Sequence, residues 1–518
     1  MLHAIELVLG LLVAVVALAV LAPVLRIPAP VLFVLGGLLL ALLPQVPDVV
    51  LAPDVAFLLF LPPLLYSAAF DTSVRDVRAH LRPILSLAVG LVLATTAVVA
   101  VVVHALLPDL GWPLAFALGA IVSPPDAVAA VAVFRGLRVP RRLVTLLEGE
   151  SLFNDATALV AYQAALAAAG AATFSLGAAS LRFLVVGLGG LLVGLAAGWL
   201  VAHLQRRLTD PAVEIAVALL TPFGAYLLAE RLGVSGVLAT VAAGLGAGWW
   251  APALATPETR LRSRAVWDMV AFLLNGLVFV LIGLQLLRIL PALATRSLGS
   301  LVGLGLLISV TVIAVRFAWV FAGALPRRSA RPANAPALGR RARVVVAWAG
   351  MRGVVSLATA LALPLATPER DLLLFVTFGV ILVTLVGQGL SLPWLVRALG
   401  VSGDGGAGDQ ERRARRVATA AAVARLDALA AEQPAHRALV AALRAQYAHR
   451  ADRLEERPAE AAAAAATQEL LEERQLRRAV VEAERAAVLE LRTRGALDDQ
   501  AWRRIQRELD LEALRLDA

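Results

Sequence analysis

The 518-residue chain contains no cysteine and no lysine. Without cysteine it has no disulfides, thiolate metal sites or thiol nucleophiles. Without lysine, all 47 basic residues are arginine, a bias of composition that carries no chemistry of its own. Charge is scarce as well: charged residues make up 16% of the chain, against roughly 25% in soluble domains. The six histidines are scattered and form no His-Glu-x-x-His, so the zinc-protease pattern is missing. No Gly-x-Gly-Asp string occurs within the apolar runs, the one at Gly406–Asp409 lying beyond them, so nothing suggests an intramembrane aspartyl protease. Gly244-Leu245-Gly246-Ala247-Gly248 lacks the strand-helix context of a dinucleotide fingerprint and reads as close helix packing.

Apolar surface is abundant. Hydrophobic residues make up 60% of the chain, and runs of 18 or more recur from Leu2 to about Gly400. Such runs exclude a soluble enzyme and a disordered chain. Their continuity, without alternation, also excludes a membrane β-barrel. The expected fold is an all-α polytopic membrane protein. Breaks at Pro, Gly and Arg divide it into thirteen segments, near 4–25, 28–46, 51–70, 83–107, 112–134, 143–169, 179–203, 212–232, 234–250, 266–289, 298–324, 342–366 and 371–399. The first has no basic segment before it, so it is expected to be retained as a span rather than cleaved.

Arginine alternates along this series. Loops after odd-numbered segments hold 19, including Arg135, Arg138, Arg327, Arg328 and Arg331, whereas loops after even-numbered segments hold 5. The positive-inside rule therefore places the N-terminus outside and the C-terminal region in the cytoplasm. Thirteen spans with ends on opposite sides suit a transporter built from two inverted six-helix repeats around a linker span, with broken crossing helices. The excess arginine sits in short loops, so the basic balance points to orientation rather than to nucleic acid. The domain expectation is a membrane domain over 1–400, a Gly/Asp linker over 401–410 and a cytoplasmic helical tail over 411–518. That tail is interrupted near Pro434 and Pro458, carries an alanine run at 461–466, and allows a short coiled coil or hairpin over 470–491.

Acids inside spans are the chemical signal, because a charge at mid-bilayer costs roughly 2.5–3.5 kcal/mol even on insertion scales. Asp126 follows Ser123-Pro124-Pro125 in the middle of the fifth segment. Two consecutive prolines remove two backbone donors and break the helix. A break inside a membrane is tolerated where it lines a cavity or is buried in protein, and its freed carbonyls beside a carboxylate make a cation site. The competing reading is a kinked helix whose Asp126 pairs with a distant arginine. The sixth segment carries Gly149-Glu150-Ser151-Leu152-Phe153-Asn154-Asp155. Glu150 and Asn154 share one helical face, Ser151 and Asp155 the next, so one side of an apolar helix is lined with oxygen ligands. Hard cations take such ligands. Glu148, near the segment's start, is equally well explained as an interfacial acid. Two arginines lie within spans: Arg352, between Gly350 and Gly353, and Arg316. Either balances the buried acids or snorkels to an interface.

These residues resemble a known family. Phe60-Leu61-Pro62-Pro63-Leu64-Leu65-Tyr66, the Ser-x-x-Asp ending at Asp126, the Gly149–Asp155 string, Leu274-Asn275-Gly276-Leu277-Val278-Phe279 and Arg352-Gly353 are similar to the sodium/proton exchangers of the monovalent cation:proton antiporter-1 family. The resemblance covers about 1–400. It implies that Asp155 binds cation and proton in turn, with Asp126 and Ser151 completing the Na⁺ site. Asn154 stands where electrogenic relatives carry a second Asp, and Glu150 is expected to pair with Arg352. Two departures stand out: Ser67 occupies a position that is often Glu, and Pro125-Asp126 replaces Asp-Pro. The implied function is secondary antiport of Na⁺ for H⁺ at the cell membrane, electroneutral, without cofactor or nucleic-acid partner, by a lipid-embedded homodimer. K⁺/H⁺ exchange and a cation channel are the alternatives. No repeated filter motif speaks for a channel.

Overall fold

The computed structural model describes residues 2–43, 53–134, 137, 139–170, 176–208, 210–254, 257–293, 296–322, 339–401, 406–432 and 437–455, and within 475–512 the residues 475, 476, 478–480, 482–491, 494, 505, 506, 508, 509 and 512. Arg135, Arg138, Arg327, Arg328, Arg331, Pro434, Pro458, the alanine run 461–466 and parts of 470–491 lie outside the described residues. The chain forms two compact units, Met1–Asp404 and Gly405–Ala518.

Among its described residues, the regular elements of the first unit are all helical. Its helices are α1 (Leu2–Leu25), α2 (Ala29–Leu40), α3 (Pro53–Asp71), α4 (Val74–Ala79), α5 (Leu81–Leu106), α6 (Gly111–Val122), α7 (Ala127–Phe134), α8 (Arg141–Gly170) and α9 (Leu176–Gln205). They continue as α10 (Pro211–Arg231), α11 (Gly236–Leu254), α12 (Pro257–Ile289), α13 (Leu298–Phe321), α14 (Arg340–Trp348), α15 (Val354–Leu361) and α16 (Arg370–Ala398). Among the described residues, eight helical segments are long and apolar enough to cross a membrane, and Ala29–Leu40, Leu58–Asp71 and Gly236–Trp250 are shorter apolar helices. Two expected segments fall outside both sets for physical reasons. In α8 the acids and amide lower the apolar content. The segment expected at 342–366 is split into α14 and α15, neither long enough alone.

Burial is graded. The most apolar stretch of α16 is 72% buried and that of the α6–α7 pair 67%, against 17% for α1 and for α9. Leucines at 181, 184, 188, 192 and 200 of α9 face outward, as expected where lipid rather than water is the neighbour. The broken helices therefore sit at the centre, where freed backbone groups find protein partners.

In the second unit, α17 (Gly406–Glu432) and α18 (Arg437–Glu455) pack together, with Arg444 Nε 2.7 Å from Asp427 Oδ1. Helix α17 begins within the stretch that composition marks as linker.

Candidate functional site

Two interrupted helices cross at the centre of the first unit. Residues 123–126 are unwound between α6 and α7, and residues 349–353 between α14 and α15. The interruptions hold each other: Asp126 N donates to Met351 O at 2.6 Å. Several of the freed backbone groups are re-satisfied by neighbours. Asn154 Nδ2, from α8, donates to Pro125 O at 2.8 Å. Arg352 N donates to Thr384 Oγ1 at 3.1 Å, from a π-turn within α16. Asp126 Oδ1 accepts from Val128 N at 2.7 Å and so caps α7. This is the pattern expected of irregular backbone held inside protein.

The two buried arginines divide the work differently from the sequence expectation. Glu150 pairs with Arg316, not with Arg352: Arg316 Nη1 and Nη2 donate to the two carboxylate oxygens of Glu150 at 2.5 and 2.9 Å, and its Nε donates to Val346 O at 3.1 Å. Both side chains are 1% exposed, so Arg316 does not snorkel. The pair ties α8, α13 and α14 together. Arg352 is also buried, and it closes the carboxyl end of α6: its Nε donates to Val122 O at 3.0 Å, its Nη2 to Ser123 O at 3.2 Å, and its Nη1 to Gly350 O. A cation at a helix C-terminus meets the negative end of the dipole and the unpaired carbonyls. Its N–H groups are thus taken by carbonyls and not by a carboxylate.

A cavity of about 50 Å³ opens where the interruptions meet α3, α8 and α12. Asp126, Ser151, Asp155, Asn275 and Ser356 supply its polar lining, and Leu61, Leu64 and Leu65 much of its apolar wall. Asp155 is buried, and its carboxylate has no hydrogen-bond partner among the described residues. A second cavity, of about 210 Å³, shares Leu64, Leu65, Ala68, Val128, Ser151 and Asn275 with the first and adds Asp71, Glu148 and Asp268.

The sequence-expected set is thus partly assembled. Asp126, Ser151 and Asp155 line one cavity; Asn154 braces the break behind it; Glu150 is turned away to Arg316. Glu148 lines the larger cavity and Ser67 does so too, its hydroxyl donating to Leu64 O at 3.0 Å. Asn275, Ser356 and Thr384 were not singled out as site residues from the sequence. A lone amide in the apolar stretch Ala271–Leu284 was the available signal for Asn275. Ser356 and Thr384 look like ordinary helix hydroxyls.

The sodium/hydrogen exchanger transmembrane family profile matches residues 10–398. The chain belongs to that family. The exchanger is similar to an uncharacterized Na⁺/H⁺ exchanger of Mycobacterium tuberculosis, 38% identical over 520 residues that cover 97% of this chain and 95% of the relative. It is also similar to a sodium, potassium, lithium and rubidium/H⁺ antiporter of Bacillus subtilis, 33% identical over 386 residues, 71% of this chain and 58% of the relative. The fold resembles that of the sodium proton antiporter MjNhaP1 from Methanocaldococcus jannaschii, with a TM-score of 0.61 at 20% identity over 77% of this chain and 99% of that one. The protein is accordingly a multi-pass membrane transporter that exchanges monovalent cations for protons, and not an enzyme.

Gly353 is where the crossing is tightest. A Cβ there would overlap the Asp126 carboxylate, which therefore lies directly against the second interruption. Overpacking of this kind costs about 1–3 kcal/mol and shifts the neighbour. Gly353→Ala is expected to displace Asp126 and cut exchange severely, with only a modest fall in melting temperature. Wild-type exchange rates in reconstituted Gly353→Ala would show that Asp126 does not need its position.

Proposed function

We propose that Asp155 is the carboxylate that carries cation and proton in turn, with Asp126 and Ser151 as further cation ligands and Asn154 as the brace of the crossing. The observation that carries this reading is the division of charges: Glu150 is taken by Arg316 and one oxygen of Asp126 by the amino end of α7, whereas Asp155 faces the cavity without a partner among the described residues. A proton and a cation cannot occupy one carboxylate together, so the two ions compete. If the site changes sides only when occupied, the fluxes are coupled, which is alternating access.

The chain is read as thirteen spans in two inverted repeats, set in the cell membrane with the N-terminus outside and the tail, residues 411–518, in the cytoplasm. The arginine bias supports this orientation; homodimerisation rests on the family resemblance alone. The acid-lined larger cavity lies at the carboxyl end of α3 and the amino ends of α8 and α12. In this orientation those ends are cytoplasmic, so the conformation is read as open to the inside. Na⁺ is the preferred substrate. K⁺ is a second reading, favoured by the printed name of the Bacillus relative.

One carboxylate exchanging one cation for one proton moves no net charge. A membrane potential, worth about 2.3 kcal/mol per elementary charge per 100 mV, then does no work on the cycle. Na⁺-driven proton flux in proteoliposomes, followed by a pH dye, is expected to be unchanged by an imposed potential. Clear voltage dependence would mean that a second group titrates, and the one-for-one reading would fall.

A further inference from the structure

We infer that Asn275 and Ser356 form a neutral-oxygen wall of the cation site, facing the carboxylate wall, and that they set cation affinity and selectivity without handling the proton. The inference rests on the assignment of the small cavity as the transport site.

Both residues line the 50 Å³ cavity together with Asp126, Ser151 and Asp155, but they come from other elements, α12 and α15. Both present an unused acceptor. Asn275 Oδ1 and Ser356 Oγ are buried and have no hydrogen-bond partner among the described residues. Such atoms are uncommon, because an unpaired buried polar group costs about 1–3 kcal/mol. Ser356 is 1% exposed. It differs in this from Ser309, Thr377 and Thr384 of the same unit, which donate to the carbonyl four residues back at 2.7, 2.8 and 2.7 Å, the usual outlet. The residue four back from Ser356 is Arg352, in the unwound stretch, so that outlet is lost. Asn275 lies in an otherwise apolar stretch of α12 and also lines the larger cavity, at the junction between approach and site.

The volume suits this use. A water needs roughly 10–15 Å³ by this kind of measure, so about 50 Å³ accommodates a dehydrated or partly hydrated monovalent cation among these oxygens. Hard cations take several oxygen ligands, mixing carboxylates with amide and hydroxyl oxygens. A proton needs only the carboxylate. Ser67, the residue on α3 standing where an acid is often found, is absent from the small cavity's lining and spends its hydroxyl on Leu64 O. The neutral oxygens of α12 and α15 are the remaining side-chain ligands on that side.

The test uses full-length exchanger in proteoliposomes, with Na⁺ and Li⁺ titrated separately against proton flux. Asn275→Ala is expected to raise half-saturating Na⁺ by about tenfold, the size of a lost polar contact to a charge. Ser356→Ala is expected to raise it less, and both should leave the maximal rate within about twofold. The Na⁺ to Li⁺ ratio of half-saturation should change, because the two ions differ in size. Asn275→Ser, which keeps an oxygen, should recover part of the affinity and serves if the alanine variant does not fold. Unchanged half-saturation in Asn275→Ala and in Ser356→Ala would overturn the inference, as would, if Asn275→Ala does not fold, an unchanged Na⁺ to Li⁺ ratio in both Asn275→Ser and Ser356→Ala. A parallel loss of rate and melting temperature with an unaltered ion ratio would also overturn it, as a structural role. Full exchange by Asp155→Asn, run alongside, would instead overturn the site assignment itself.

Discussion

Asp155→Asn is expected to reduce cation-driven proton flux to the level of empty liposomes while the protein stays folded and inserted. An amide cannot alternate between a protonated and a cation-bound state. Asp155 is buried and faces the cavity without a partner among the described residues, so the amide disturbs no ion pair described there. The neighbouring carboxylates do not substitute for it: Glu150 is held by two hydrogen bonds from Arg316, and Asp126 caps α7 through Val128 N. Competition at one carboxylate has a further signature. Where the protonated form dominates, half-saturating Na⁺ in the wild type should rise about tenfold for each unit fall in pH, because each cation bound displaces one proton. A half-saturation that ignores pH, or an active Asp155→Asn, would place the exchange elsewhere.

The second large effect is on stability. Neutralising Glu150 or Arg316 alone is expected to destabilise the exchanger by about 3–5 kcal/mol, since each leaves its partner charged and unpaired in a dry interior. The loss should appear as a sharply lower melting temperature in detergent. Glu150→Gln combined with Arg316→Gln should cost clearly less than the two losses added, the mark of direct contact in a double-mutant cycle. Glu150→Gln combined with Arg352→Gln should come much closer to additivity, because Arg352 donates to the carbonyls of Val122, Ser123 and Gly350. Strong coupling of Glu150 to Arg352, with additivity toward Arg316, would restore the pairing expected from the sequence.

The helical segments, the interruption at Pro124-Pro125 and the oxygen-bearing face of α8 were legible in the sequence because each depends on local chemistry. Proline removes donors wherever it stands, and a spacing of four places Ser151 and Asp155 on one face of any helix. The partner of Glu150 was not legible. Arg316 and Arg352 are both buried arginines in apolar segments, and only the three-dimensional crossing decides which one faces α8. The family resemblance implied a carboxylate partner for Arg352. It did not reveal that unwinding before α7 leaves carbonyls at Val122 and Ser123 able to satisfy a guanidinium by themselves. Asn275 and Ser356 were missed for a related reason: an unpaired acceptor is a property of surroundings, and the sequence shows only the residue type.

The most direct measurement is the number of protons released when Na⁺ binds to the purified exchanger in weakly buffered detergent solution. The account expects about one proton released per Na⁺ bound by the wild type at a pH where Asp155 is protonated, and none by Asp155→Asn. Sodium binding without proton release in the wild type, or undiminished release in Asp155→Asn, would contradict the claim that one carboxylate serves both ions.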